Sequence, residues 1–261
     1  MDRRFSCTAC GKCCYGLVPL TIDDALAHAD KYPLVVIWTP VRQGGRSFRI
    51  TADLGITIEI KKHKRAAVQI APTAYIPPTL PCPELSEDGL CRIHDAKSQR
   101  CRTMPFSAYR DENDQEDLTL PRPGWECDTS DAAPVVYGDK SILDRNDFEI
   151  ERKQLVRDAA ILKPYAEWLL DSVPSLRPEL QKIAMKPSGG RVVVGFSTLI
   201  PRLPKVDIYA FARKQLPVMK TFAERTVGDP GLVDFHQRYV DGRTEWEKVA
   251  RPNSGTRAGS V

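Results

Sequence analysis

The placement of the eight cysteines constrains this chain more than any other feature: all lie between Cys7 and Cys127, and residues 128–261 contain none. The first four form the run Cys7-x-x-Cys10-x-x-Cys13-Cys14. Two residues between cysteines let both thiolates converge on one centre while backbone N–H groups point at the sulfurs, so the spacing makes half of a tetrahedral thiolate site. Gly11 relieves crowding in that tight turn. Three cysteines at this spacing with a distant fourth are also how a bacterial-type ferredoxin segment supplies the ligands of a 4Fe–4S cluster. Spacing alone leaves zinc and iron–sulfur both open.

Cys13 and Cys14 are adjacent, so in an extended chain their side chains face opposite ways and in a helix they diverge by about 100°. The expectation is that they do not share one ion, and that Cys14 serves a second centre or stays a reserve thiol. Downstream lie Cys82, Cys91, Cys101 and Cys127, separated by eight, nine and twenty-five residues, which matches no zinc-finger spacing. Four plus four thiols suit two four-thiolate sites, or one such site with redox-active thiols left over. The candidate metal ligands are therefore Cys7, Cys10, Cys13, Cys14, Cys82, Cys91, Cys101 and Cys127.

The surroundings favour metal over disulfides. The N-terminal MDRRFSCTACGKCC carries charges with no apolar stretch behind them, so it is not a secretory signal, and no apolar run approaches the roughly 20 residues that span a bilayer. A cytoplasmic, reducing address is expected, where clustered thiols mean metal or redox work. A net charge of +4 spread along 261 residues argues against a nucleic-acid partner. With 42% hydrophobic and 28% charged residues, the chain has the material for an ordinary core.

Periodicity predicts an α+β protein whose cysteine-rich first half, with loops and a small sheet, packs against a mainly helical second half. Thr21 with Asp24 three residues on is a capping-box-like start for a helix to about Lys31. The β-branched stretches Leu34–Trp38, Ser47–Thr51, Ile56–Ile60 and Ala67–Ile70 predict a small antiparallel sheet. From Pro72 to Pro123 prolines and cysteines recur without a period, so that stretch needs metal ligation to hold it. Helices are predicted at Asn146–Ser172, with Pro164 starting or kinking its second portion, at Val206–Val227 and at Gly231–Val249, and a strand at Arg191–Thr198. The expected organisation is a cysteine-cluster domain over 1–130, a helical region over 131–250 and a flexible tail over 251–261.

The stretch Phe5-x-Cys7-x-x-Cys10-Gly11-x-Cys13-Cys14, then Cys82-Pro83-x-Leu85, Gly89-x-Cys91-x-Ile93-His94 and Cys101-Arg102-x-x-Pro105, resembles the CxxCxxCC cysteine-cluster family, also called YkgJ-like. Members are described as zinc- or iron-chelating proteins and sometimes as iron–sulfur oxidoreductases, and enzymes that methylate flagellin lysines carry a related cluster. The resemblance covers about residues 1–130. Family members often have Arg-Pro where this chain has Lys97-Ser98, and Phe-Pro where it has Met104-Pro105; neither departure removes a thiol.

Other features carry less. His94, three residues after Cys91, is within reach of the same centre, but a surface or packing histidine is the simpler reading. The basic segment Lys61–Arg65 reads as a solvated hairpin turn, and the acidic run Asp111–Asp117 as an exposed connecting loop. No glycine-rich phosphate loop is present, because Gly189-Gly190 precedes a strand. No C-x-x-x-C-x-x-C motif for radical chemistry on S-adenosylmethionine occurs. The leading reading is an iron–sulfur protein holding a cluster through Cys7, Cys10, Cys13 and one distal cysteine, with a second centre or redox thiols beside it. It would act as an oxidoreductase or a protein-modifying, methylase-like enzyme if it is an enzyme at all. The alternative is a zinc-binding structural or interaction module. Catalytic residues, substrate and protein partner are not legible in the sequence.

Overall fold

Thr21 caps the first helix as its sequence predicts. Its hydroxyl accepts from the Asp24 backbone N–H at 3.1 Å and donates to the Asp24 carboxylate at 2.8 Å. In the computed structural model, which describes residues 2–251, the elements in chain order are β1 (Arg3–Arg4), β2 (Val18–Pro19), α1 (Ile22–Ala27), β3 (Leu34–Arg42), α2 (Phe48–Leu54), β4 (Ile56–Lys61) and β5 (Lys64–Ala74). They continue with α3 (Gln99–Arg102), β6 (Val135–Gly138), β7 (Ser141–Ile142), α4 (Asn146–Ser172), α5 (Leu176–Met185), β8 (Val192–Gly195), α6 (Ile208–Thr226) and α7 (Val233–Ala250). The α+β class holds, with the sheets concentrated in the first half and helices dominating the second. Apart from Arg251, the expected tail lies outside the described residues.

The principal sheet is antiparallel, with β5 at its centre. Along its length β5 pairs β3 from Leu34↔Ala74 to Arg42↔Ala66, and its other edge takes β4 near one end and β2 near the other. The second half of the chain supplies the last strand, since β8 pairs β3 through Val35↔Gly195 to Trp38↔Val192. A small second sheet joins β1, β6 and β7.

One sequence expectation fails here. Ser47–Thr51, predicted as a strand, belongs to helix α2, because Ile50, Thr51 and Leu54 share one helical face and all three are buried. Ile50 and Leu54 enter a core with Phe106, Tyr137 and Phe148, and that burial outweighs the strand preference of the β-branched residues. Gly55 ends the helix where a Cβ would stand 2.1 Å from the Val68 carbonyl oxygen, so only glycine lets α2 lie this close to β5.

The main core lies between the sheet and the later helices. Trp38, Leu34 and Ile58 of the sheet share it with Leu180 of α5, Phe211 and Met219 of α6, and Tyr239 and Trp246 of α7. Helix α4 serves both cores. Phe148, Leu155 and Ala159 enter the smaller one, and Leu162, Tyr165 and Leu169 the larger. Pro164 does not interrupt it. Polar links also cross the halves. Buried Gln215 of α6 accepts from the Leu34 backbone N–H at 3.1 Å and donates to the Tyr32 carbonyl at 2.9 Å, and the Tyr239 hydroxyl donates to the Tyr75 carbonyl at 2.5 Å.

Lys62 and His63 form the exposed turn between β4 and β5, as predicted. The acidic run is more ordered than a plain loop. Asp111 pairs with Arg49, Asp114 and Asp117 with Arg46, Asp117 also with Arg110, and Glu116 with Arg3.

Candidate metal centre

Between β1 and α1, and again between β5 and β6, the chain is largely irregular, and the cysteines sit on these loops. Backbone pairing holds the loops together. Ser6 and Asp128 form a reciprocal antiparallel bridge, at 2.8 and 2.9 Å, which sets Cys7 beside Cys127. The Thr8 hydroxyl donates to the Glu126 carbonyl at 2.9 Å and fastens the Cys7–Cys10 turn to the same strand of chain. Farther along, the Cys82 N–H donates to the Cys14 carbonyl at 2.7 Å, next to a bridge between Tyr15 and Pro81. Leu85 pairs Cys91, so the Cys82–Cys91 segment folds back on itself. Gly11, at φ +70°, lies against that segment; a Cβ there would stand 2.9 Å from the Gly89 carbonyl oxygen.

Cys101 comes from the four-residue helix α3, which is fixed from outside. The Gln99 N–H donates to Asp24 at 3.0 Å, its side-chain amide donates to the Asp147 carbonyl at 2.9 Å, and Arg100 forms an ion pair with buried Glu151 at 3.2 Å. The Ser98 hydroxyl donates to the Cys101 sulfur at 3.3 Å.

All eight cysteines are free. Their electrostatics separate two groups. Burial pushes the Cys127 thiol up, and the charges of Cys10, Cys7 and Cys13 add to that push. Cys10 is lowered, chiefly by the Lys12 backbone N–H. Cys14 is raised first by its contact with Cys13, then by burial and by the charges of Cys82 and Cys101. Burial raises both Cys82 and Cys101, with Cys91 acting on Cys82, and Cys82 and Cys13 on Cys101. The Cys82 thiol also faces the Tyr32 hydroxyl at 3.9 Å. Cys13 stands between the groups; the Cys14 thiol pulls it down to about 6.

Cys13 and Cys14 lie in a turn closed by the Cys14 N–H donating to the Gly11 carbonyl at 3.0 Å, and each thiol acts on the other's ionisation. His94 is exposed and lies on a one-turn 3-10 helix. Sequence reasoning passed over Ser6, Thr8, Ser98, Tyr32 and Asp128, which hold the cysteine loops or face their sulfurs. Ser98, three residues before Cys101, is the one among them with a sequence signal, because that spacing places a hydroxyl over the sulfur in a first helical turn.

In type the donors suit a thiolate-seeking metal, since eight free thiols lie on loops, partly cross-linked by backbone hydrogen bonds, and on helix α3. Among the described residues no three His, Cys, Asp or Glu side chains stand close enough to hold one ion as they are. Holding one ion would therefore require thiols to turn inward.

The eight free thiols are carried on loops and one short helix of a cysteine-rich segment. Residues 6–123 match the model of the CxxCxxCC family, described as a "putative zinc- or iron-chelating domain". Searches of curated proteins and of solved structures each found no match. Cys127 lies just beyond the matched segment. Among the described residues no helix is long and apolar enough to cross a membrane.

Proposed function

We propose that the chain is an iron–sulfur protein in which Cys7, Cys10, Cys13 and Cys127 hold a cluster, while Cys14, Cys82, Cys91 and Cys101 form a second thiolate site. The observation that carries this reading is the Ser6–Asp128 bridge. It sets Cys127, beyond the matched segment, beside Cys7, and the charges of Cys7, Cys10 and Cys13 act on the Cys127 thiol, which supports the grouping. A ferredoxin-like triple with a remote fourth thiolate is the ligand set for a 4Fe–4S cluster, and the chemistry such a group supplies when bound is one-electron transfer.

Zinc is the second reading, and a specific observation favours it at the second site. The segment from Pro77 to Pro134 contains one four-residue helix and a few 3-10 turns, and Cys82, Cys91 and Cys101 are spread through it. A closed tetrahedral zinc site staples such loops without redox chemistry.

Anaerobic purification with metal and sulfide analysis and a visible spectrum tests both readings. The expected result is iron with inorganic sulfide and a visible absorbance that bleaches on reduction. Cys127→Ser abolishes the absorbance, and Cys82→Ser leaves it while lowering total metal. A colourless, zinc-only protein would overturn the iron–sulfur reading, and an absorbance untouched by Cys127→Ser would overturn the assignment of the fourth ligand.

A further inference from the structure

Helix α7 faces the cysteine loops across an open cleft of about 910 Å³. Asp234, Arg238 and Asp241, at positions i, i+4 and i+7, bring one face of that helix to the cleft. Tyr15 and Gly16, directly after Cys14, line it too, with Arg122, Tyr75 and Val193. Tyr15 is 45% exposed and also lines a smaller hollow that reaches Cys10, so the cleft runs up to the cysteine turn.

Its charges are unusual in being both signed and uncompensated. Arg238 is committed to Glu245, which also accepts from the Ser197 hydroxyl at 2.5 Å. Among the described residues, Arg122, Arg191, Asp234 and Asp241 form no ion pair. Arg122 lies over the Trp125 ring at 5.2 Å, and Asp241 accepts from Gln237 at 2.8 Å. The Tyr75 ring stacks on Phe235 at 4.4 Å, and the charges of Asp234, Arg191 and Arg238 all act on its hydroxyl.

We infer that this cleft binds a zwitterion with an aromatic or apolar body, its carboxylate taken by Arg191, its ammonium by Asp234, and its body laid against Phe235. A purely anionic ligand would meet Asp234 beside Arg191, and a purely cationic one Arg191 beside Asp234; a ligand of both signs suits the pair. The volume lies at the upper end of the roughly 300–1,000 Å³ common for small-ligand sites. A free aromatic amino acid and a short peptide containing one share this chemistry. The inference does not depend on what the cysteines bind.

Calorimetric titration of the full-length protein tests it, with L-phenylalanine, the tripeptide Gly-Phe-Gly, 3-phenylpropionate and phenethylamine as probes. The expected result is saturable binding of at least one zwitterion, with each singly charged analogue at least about tenfold weaker. Tighter binding of phenylalanine than of the tripeptide identifies a free amino acid as the ligand type, and the reverse a peptide. Arg191→Gln and Asp234→Asn, both at exposed positions, each weaken binding about tenfold while the circular dichroism spectrum stays the same. No saturable binding of either zwitterion, equal binding of the singly charged analogues, or variants that bind like the parent would overturn it. Metal content, followed in the same samples, stays constant in every arm, so failure here and failure of the cysteine reading are separable.

Discussion

Asp158 shows how one buried carboxylate sets a pH dependence away from the cysteines. It sits on α4 and accepts from the Ile22 N–H at 2.9 Å, at the start of α1. Burial outweighs that hydrogen bond and pushes the carboxyl up to about 6. Because the folded state then holds its proton more tightly than the unfolded chain, stability falls as pH rises from about 4 to about 6, and the loss is complete above that window. A shift of this size corresponds to about 2–3 kcal/mol. Asp158→Asn keeps an acceptor for Ile22 and removes the charge, so it is expected to raise urea stability at pH 7 and flatten the fall across that window; an unchanged slope would count against the assignment. The sequence alone did not reveal Asp158, because a carboxylate on a helix carries no sign of which face will be buried. The cysteines, by contrast, were legible as a set, since spacing and confinement to one half mark them. What spacing could not supply was which loops lie side by side, which depends on the backbone bridges at Ser6–Asp128 and Tyr15–Pro81.

Helix α3 is the element most dependent on its neighbours. Four residues cannot sustain a helix alone, and α3 is held by Gln99, Arg100 and Thr103 against α1 and α4. Arg100→Ala leaves Glu151, which is 3% exposed, without its partner. The expected cost is about 3–5 kcal/mol. Faster labelling of Cys101 by a thiol reagent, relative to Cys7 in the same molecule, would register the released helix, and equal acceleration of both would mean global loosening instead. At this scale the sequence was most readable where burial is one-sided and long. Helix α4 begins and ends at Asn146 and Ser172 as its apolar spacing predicts. Helix α5 was missed although Leu176, Leu180, Ile183 and Ala184 make a clear buried stripe. Pro178 falls in the first turn, where its absent N–H costs nothing. The strand predicted at Ser47–Thr51 failed because its β-branched residues are drawn into a helix by the core around Phe106.

At the scale of the whole molecule the two halves complete one another. Residues 1–130 end before β8, α4, α6 and α7, which between them cover Trp38, Leu34 and Tyr75. A fragment of residues 1–130 is therefore expected to lack fixed tertiary packing, seen as a lost near-ultraviolet circular dichroism signal and rapid amide exchange in β3; slow exchange there would show that the sheet stands alone. The strand pairing between β3 and β8 has a further consequence, for the order of events at synthesis. Leu34 finds its Gln215 partner 181 residues later and Tyr75 its Tyr239 partner 164 residues later, so the chain has high contact order. At translation rates of about 5–20 residues per second, Trp246 follows Trp38 out of the ribosome by roughly 10–40 s. Every thiol has by then been made. The nascent protein thus passes through an interval in which its thiols are in solution while the wall that will flank them does not yet exist, and oxidants can reach them over that interval.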